Sequence, residues 1–348
     1  MKILAAMSGG VDSSVAAARL LAAGHDVVGV TMKLWGGESD TGCCSVSDVD
    51  DARRVAQQLG IAHHVWNFGD EFERDVVAPY VDAHRRGATP NPCIECNRRL
   101  KFDRLVARAR AVGFDAVATG HHARIVERPD GTRRLARGAD AAKDQSYVLY
   151  VLGQPELAYT RLPVGELTKA EVRAEAAALG LRTADKPDSQ DVCFVTSAAG
   201  RRGFLGRRMD LHPGRVVDGD GRRVGAVPAV ELVTVGQRKG LGLPGGGEPR
   251  YAVAVDLATA TVRVGGPGEL LRDAVRLERV VWAGGPVTGA VDAQASAHGA
   301  TRPATVEPGG GGAVVRFARP ERRVAPGQSV VLYQGDEVVG GGIAADPA

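Results

Sequence analysis

The chain has 348 residues, 44% hydrophobic and 24% charged, with 44 Lys+Arg against 41 Asp+Glu and a formal net charge of +3. This is an ordinary globular composition with enough length for a large core. It excludes a histone-like polycation, so any nucleic-acid footprint must be local. No run reaches the ~20 apolar residues of a membrane span, and the opening MKILAAMSGGVDSS lacks signal-peptide shape. These features read as a cytoplasmic protein of two or three domains with no membrane partner. The five cysteines, an odd number, then point to catalysis, metal binding or inert thiols rather than structural disulfides.

In chain order, residues 2–6 form a short apolar strand that runs into SGGVDSS, residues 8–14. A helix follows over about 14–23 and stops at Gly24. A second strand covers 26–32, a helix 49–59 ends at Gly60, and a third strand covers 63–68. Helices over 70–86 and 100–112, the latter closed by Gly113, precede a strand at 116–119. Strands alternating with helices predict an α/β fold with a parallel, doubly wound sheet. A further helix over 169–179 has Thr168 as N-cap and Gly180 as stop.

The texture changes near residue 205, where short apolar runs alternate with Gly, Pro and Asp turns, as in GRVVDGDGRRVG and QSVVLYQGDEVVGGG. That pattern predicts β-rich domains. The expected division is a catalytic domain at 1–204, a small central β-rich domain at 205–272 and a C-terminal domain at 273–348. Residues 307–312 read as a long hairpin loop. Two basic clusters are candidate nucleic-acid surfaces or solvated faces: Arg98, Arg99, Lys101, Arg104, Arg108 and Arg110, and Arg201, Arg202, Arg207 and Arg208.

The first strand and first helix are joined by Ser8-Gly9-Gly10-Val11-Asp12-Ser13. Paired glycines permit a sharp turn with amides exposed to a phosphate, and the helix N-terminus adds positive potential. Ser8, Ser13 and Ser14 offer hydroxyls, and Asp12 is a candidate to hold Mg²⁺ or orient an attacking group. The loop is neither a dinucleotide fingerprint nor a Walker loop, and no lysine follows its glycines. It resembles the SGGxDS loop of ATP pyrophosphatases, a superfamily that includes GMP, NAD and asparagine synthetases and several tRNA-modifying enzymes. That resemblance implies cleavage of ATP to AMP and pyrophosphate through an adenylated substrate.

Thr89-Pro90-Asn91-Pro92-Cys93-Ile94-Glu95-Cys96-Asn97 reads as a rigid loop entering the basic helix, with Asn97 as its N-cap. The helix dipole, Arg98 and Arg99 would favour a Cys96 thiolate. A zinc site needs two more ligands, and no second C-x-x-C exists. Cys193 stands in DSQDVCF, a loop entering a strand, and is a candidate second thiol. Cys43 and Cys44 sit among small and acidic residues and read as a local feature. His121 and His122 follow a strand end, where either a structural or an ATP-proximal role fits; Trp35, Trp66 and Trp282 read as packing residues.

SGGVDSS, TPNPCIECNRRLKFD, ATGHHAR, AAKDQSYVLY, KPDSQDVCF, TVGQRKGLG, YAVAVD and PGQSVVLYQGDEVVGGG occur in that order along the chain. Together they resemble the bacterial tRNA-specific 2-thiouridylase family over nearly the whole length. The resemblance implies an adenine-nucleotide domain, a small central domain and a C-terminal β-barrel. It implies that ATP adenylates the C2 oxygen of the anticodon wobble uridine and that persulfide sulfur then displaces AMP. By motif, Ala6, Met7, Ser8, Gly9, Gly10, Val11, Asp12, Ser13, Met32 and Gly120 would hold ATP with Mg²⁺. Cys193 would carry the persulfide, and Cys96 would be the nucleophile that releases its sulfur through a transient disulfide. Lys143, Asp144, Gln145, Asn91 and Pro92 would meet tRNA, with tRNAs for Lys, Glu and Gln as substrates and a cysteine desulfurase or sulfur-relay protein as donor.

Two departures stand out. The family loop reads Asn-Pro-Asp where this chain has Asn91-Pro92-Cys93. Cys93, Cys96 and Cys193 then make a three-cysteine set, and a [4Fe–4S] cluster is the alternative sulfur carrier. The C-terminal Arg-Tyr pair of the family has no counterpart in AHGATR, residues 297–302, although Arg302 is a substitute.

Overall fold

The computed structural model describes residues 1–34, 46–188, 192–195, 200–245 and 247–345. Trp35, Cys43, Cys44, Ser189, Gln190 and Asp191 lie outside the described residues.

The N-terminal sheet is built from β1 (Lys2–Ala6), β2 (Asp26–Lys33), β3 (His63–Asn67) and β4 (Ala116–Ala118). A hairpin follows, β5 (Ala123–Glu127) and β6 (Arg133–Arg137), and then β7 (Thr160–Arg161). The sheet order is β3-β2-β1-β4-β7, and all its pairings are parallel. Burial on both faces explains the near-continuous apolar run of β1. Leu4 enters one core with Val30, Phe72 and Leu100, while Ile3 and Ala5 enter the other with Val15, Ala16 and Val55. The period of two along the strand thus welds helices to both faces. The chain travels outward from β1 to β3 and then returns to β4 on the other side, so the order reverses between β1 and β4. Ligands of such sheets bind outside the strand C-termini at that reversal.

The first helix, α1 (Val11–Ala22), begins earlier than the sequence pattern predicts, inside the Gly-Gly loop itself. The expected helix at 100–112 also begins early. Helical backbone runs from Pro92–Glu95 through the wider π-type turns of Cys96–Arg104 into Leu105–Ala111. Its N-cap is Asn91, whose side chain accepts from the Cys93 amide, and not Asn97. Asn97 is buried and donates instead to the Val148 carbonyl. The sequence pattern failed here because the apolar periodicity begins only after the polar first turns.

The central sheet comprises β8 (Gly214–Val217), β9 (Arg223–Val227), β10 (Tyr251–Asp256) and β11 (Thr261–Gly265), in the order β10-β11-β8-β9. The last six strands are β12 (Leu271–Trp282), β13 (Gly289–Gln294), β14 (Arg302–Gly309), β15 (Gly312–Arg322), β16 (Ser329–Gln334) and β17 (Glu337–Ala344). They run β12-β15-β14-β13-β16-β17, and β17 pairs back on β12, closing a barrel around Leu277, Val306, Val315 and Leu332. The expected long loop at 307–312 is a tight turn. Gly309 pairs with Gly312, and Gly310 and Gly311 both take positive φ, as a two-residue hairpin turn requires.

The β5–β6 hairpin was not foreseen. It leaves the N-terminal domain and adds to the barrel sheet through Ala136 and Glu337. Arg128 pairs with Glu337 at 2.6 Å, and Arg124 with Asp336. Buried Tyr147 donates to the Ser329 carbonyl at 2.8 Å, and Ser146 and Tyr333 hydroxyls meet at 3.0 Å. No helix among the described residues is long and apolar enough to cross a membrane.

Candidate active site

The loop after β1 lies at the sheet's point of reversal. Gly9 takes φ +73°, and a Cβ there would lie 2.2 Å from the Asp48 carbonyl oxygen, so both the conformation and the space demand glycine. The Ser13 and Ser14 hydroxyls donate to the Gly10 carbonyl at 3.1 and 2.8 Å, and the Ser8 amide donates to Ser13 Oγ at 3.1 Å. These bonds fold the loop back on the start of α1. From the other side of the reversal comes Thr119–His122. A Cβ on Gly120 would lie 2.5 Å from the Ser13 amide nitrogen, so this glycine lets the β4 end rest directly on the first turn of α1. Met32, at the end of β2, is buried in the core beside Leu4 and Val30.

Asp12 points from α1 into a cluster of cations. Lys169 Nζ lies 2.7 Å from both its oxygens, and His122 Nε2 donates to it at 3.0 Å. Burial alone would raise the Asp12 carboxyl, but the bonds from His122 and Lys169 outweigh it and hold the carboxyl below its usual range. Lys169 opens its helix directly after Thr168, whose hydroxyl accepts from the Glu171 amide while Glu171 returns a bond to the Thr168 amide. The same ammonium meets Asp188 at 2.8 Å, and Asp188 also takes Lys143 and Arg173, each at 2.8 Å. Burial of Asp188 is outweighed by Lys143 and Lys169, which hold it down at about 2. On the opposite flank Lys186 Nζ donates to the Gly9 carbonyl at 3.0 Å and to Asp48 and Asp51 at 2.7 Å. His121 is fully enclosed between Thr119 and Lys101, and burial drives its pKa well below the ordinary value, keeping it neutral.

The expected tRNA segment flanks this cluster. Lys143 reaches Asp188, and Gln145 Oε1 accepts from the His122 amide at 2.9 Å. Asp144 is internal: its carboxylate accepts from Arg137, the Gly138 amide, and the amide and hydroxyl of Ser146, and its side chain is only 7% exposed. Arg137 in turn bonds Gln294 and lies 3.9 Å from the Tyr333 ring centre, so the barrel supports this segment. Asn91 is occupied as a helix cap, and Pro92 is buried.

The thiols occupy different surroundings. Cys96 is buried in the apolar cluster of Phe72, Tyr80, Phe194 and Phe204, and Cys193 packs against the same cluster. Phe194 anchors the Cys193 segment by edge contacts to Phe72 and Tyr80, with centroids 5.5 and 5.6 Å apart, and lies tilted against Phe204 at 4.9 Å. Cys93 is half-buried, one turn before Cys96. These three cysteines are thiols, and no disulfide is present among the described residues. Among those residues no group of three His, Cys, Asp or Glu side chains is arranged to hold a metal ion. The three-cysteine set therefore does not fit a cluster in this arrangement, and Asp12 has both oxygens on Lys169 rather than open for Mg²⁺.

The first basic cluster does not form one charged face. Arg104 pairs with Asp75, while Arg108 lies over Trp66 at 4.4 Å and Arg110 over Tyr159 at 4.5 Å.

Residues 1–197 match the model described as tRNA methyl transferase HUP domain, 202–266 the tRNA methyl transferase PRC-barrel domain, and 272–344 the aminomethyltransferase beta-barrel domain. A protein of Mycobacteroides abscessus named tRNA-specific 2-thiouridylase MnmA is 50% identical, with 99% of each chain covered. One of Roseiflexus sp. with the same name is 48% identical, with 98% of each covered. The chain belongs to the tRNA-specific 2-thiouridylase family. The likeness to a solved 4-thiouridine synthetase–RNA complex with bound ATP is partial: 20% identity, 55% of this chain, 44% of that one, TM-score 0.37.

The sequence reading left His122 open between a structural and an ATP-proximal role, and it did not single out Lys169, Arg173 and Asp188 beside Asp12 or Lys186 on the other flank of the loop. Two signals were available. Lys169 directly follows a strong N-cap, and Lys186 and Asp188 stand in the same motif as Cys193.

Proposed function

We propose that this chain is an ATP-dependent tRNA-uridine 2-sulfurtransferase. The observation that carries the reading is the pairing, in one domain, of an SGGVDS loop at the sheet reversal with two distant cysteines on one apolar cluster. Ligation without sulfur would need the loop alone, and methyl transfer would need neither cysteine.

The C2 oxygen of the wobble uridine attacks the α-phosphorus of ATP, and pyrophosphate leaves. Adenylation turns a poor leaving group into a good one. A persulfide on Cys193 attacks C2 with its terminal sulfur, and AMP leaves. The Cys96 thiolate then attacks the inner sulfur, the S–S bond breaks, and its electron pair goes to the uridine sulfur. The products are 2-thiouridine and a Cys96–Cys193 disulfide, which an external dithiol reduces. Mg²⁺ enters as part of the ATP substrate. Lys143 and Gln145 are the side chains offered to tRNA, and Asp144 frames them from below. Anticodons of the Lys, Glu and Gln type and a persulfide donor such as a desulfurase complete the reading.

The test is 2-thiouridine formation on unmodified tRNA with ATP, a dithiol and a cysteine desulfurase with cysteine as persulfide donor, followed by mass spectrometry of nucleosides. Product from wild type and none from Cys96→Ala or Cys193→Ala is expected. Unchanged product from either variant overturns the relay.

A further inference from the structure

The stretch that carries Cys93 and Cys96 is tied to the barrel domain at both ends. At its start the Thr89 amide donates to the Pro326 carbonyl at 3.1 Å, and Gln328 donates to the Thr89 carbonyl. At its far end Arg279 Nη2, from β12, donates to Glu95 Oε1 at 3.2 Å, and Arg99 lies 3.9 Å from the other oxygen. Glu95 closes the α-helical turn Pro92–Glu95, and Cys96 opens the π-type turns that follow. The second tie thus sits where the helix widens, a feature frequent at functional sites. Arg279 itself has an unusual backbone. β12 slips register against β17 between Glu278 and Val281, and Arg279 inside that slip takes φ +51°. Among the described residues the one other non-glycine with positive φ is Ala260, in the turn between β10 and β11. A side chain costs energy in that conformation, and bulges beside active sites re-aim a side chain. Stability does not account for the arrangement: the Arg279 side chain is 50% exposed, and such an ion pair contributes little.

We infer that Arg279 is a positioning residue for sulfur transfer, aimed by the β12 bulge at Glu95 so that the barrel fixes the turn bearing Cys96. The inference rests on the two-thiol relay proposed above. Glu95 and Cys96 are adjacent, so a rotation of the Glu95 turn carries Cys96 with it. Cys193 is set separately, by Phe194 in its aromatic cluster. The step affected is attack of the Cys96 thiolate on the inner sulfur of the Cys193 adduct, which breaks the S–S bond and leaves its electron pair on the uridine sulfur. That attack needs the reacting atoms held at about 3–3.5 Å, so a loosened Cys96 turn slows it. Adenylation takes place at the Gly-Gly loop and does not use this turn. Arg279 touches none of the reacting atoms in this scheme and acts through Glu95.

The test compares two rates in the full chain: tRNA-dependent pyrophosphate release, and 2-thiouridine formed in a single turnover from protein loaded with persulfide on Cys193. The variants are Arg279→Gly, Arg279→Lys, Glu95→Gln and the double variant Arg279→Gly/Glu95→Gln. Glycine suits the backbone at position 279, so Arg279→Gly is expected to unfold at a denaturant midpoint no lower than that of wild type. It is expected to slow single-turnover thiolation about tenfold while changing pyrophosphate release less than about twofold, because only the thiol geometry is disturbed. Arg279→Lys keeps the charge without the fork and is expected to recover thiolation to within about threefold of wild type. Glu95→Gln is expected to match Arg279→Gly, and the double variant to be no slower than either, because both changes remove one contact. Thiolation by Arg279→Gly within about twofold of wild type, equal slowing of both rates, or losses that multiply in the double variant overturn the inference. Wild type that forms no 2-thiouridine overturns the relay reading itself.

Discussion

The nucleotide end of the sheet and the sulfur region lie in one domain but are built on opposite principles. Around Asp12 and Asp188 the side chains are charged and cross-paired. Around Cys96 and Cys193 they are apolar and aromatic, with Phe194 clasped by Phe72, Tyr80 and Phe204. Phosphate chemistry needs fixed charge, whereas a persulfide needs shielding from stray thiols and water. On the function proposed above, the domain gives each half of the reaction its own surroundings.

Substitutions that damage one region and spare the other break the comparison most sharply. Gly9→Val places a side chain against the Asp48 carbonyl at a positive φ, so ATP binding is expected to vanish while Cys193 still accepts a persulfide; calorimetry and intact-protein mass spectrometry read the two separately. The converse is Cys193→Ser, for which ATP affinity is expected to stay within about twofold while thiolation falls at least about 1,000-fold, as for loss of a covalent carrier. Phe194→Ala tests the packing of the sulfur region: removing a buried ring that touches three others is expected to cost about 3–5 kcal/mol in denaturant unfolding.

A smaller effect is expected from pH. His84 is enclosed beside Tyr80, bonds the Glu231 carbonyl, and is pushed down by burial from 6.5 to about 4. A histidine with a lowered folded pKa binds its proton more readily when unfolded, so stability is full above pH 6.5 and is lost as pH falls toward 4. Thermal unfolding across that window is expected to show the loss, and His84→Asn is expected to flatten the profile in part, with buried His121 keeping the rest. The least effect is expected from Thr168→Ala, which removes one helix cap at a cost of about 1 kcal/mol and loosens the base of Lys169.

The parallel sheet was legible because its strands are apolar runs closed by glycines, and Gly24, Gly60, Gly113 and Gly180 do take the left-handed conformation that ends a helix. The SGGVDS loop was legible because loop chemistry is local in sequence. The β5–β6 hairpin was not, since its Arg-rich strands carry little apolar alternation and gain their stability from the barrel more than 190 positions away, as the Arg128–Glu337 pair shows. The Asp12–Lys169–Asp188 cluster was hidden for the same reason: each member is an unremarkable surface residue until the fold brings it to the loop. The basic run at 98–110 left two readings open in the sequence, and the helix disperses Arg104, Arg108 and Arg110 onto acidic and aromatic partners.

The most direct measurement is a single turnover with iron-free protein whose Cys193 has been loaded as the persulfide, followed by mass spectrometry of nucleosides and of disulfide-linked peptides. The expected result is one 2-thiouridine per loaded chain, dependent on ATP, with a Cys96–Cys193 disulfide appearing at the same rate. Thiolation by Cys96→Ala at the wild-type rate, or thiolation only after iron is restored, would contradict the two-thiol relay.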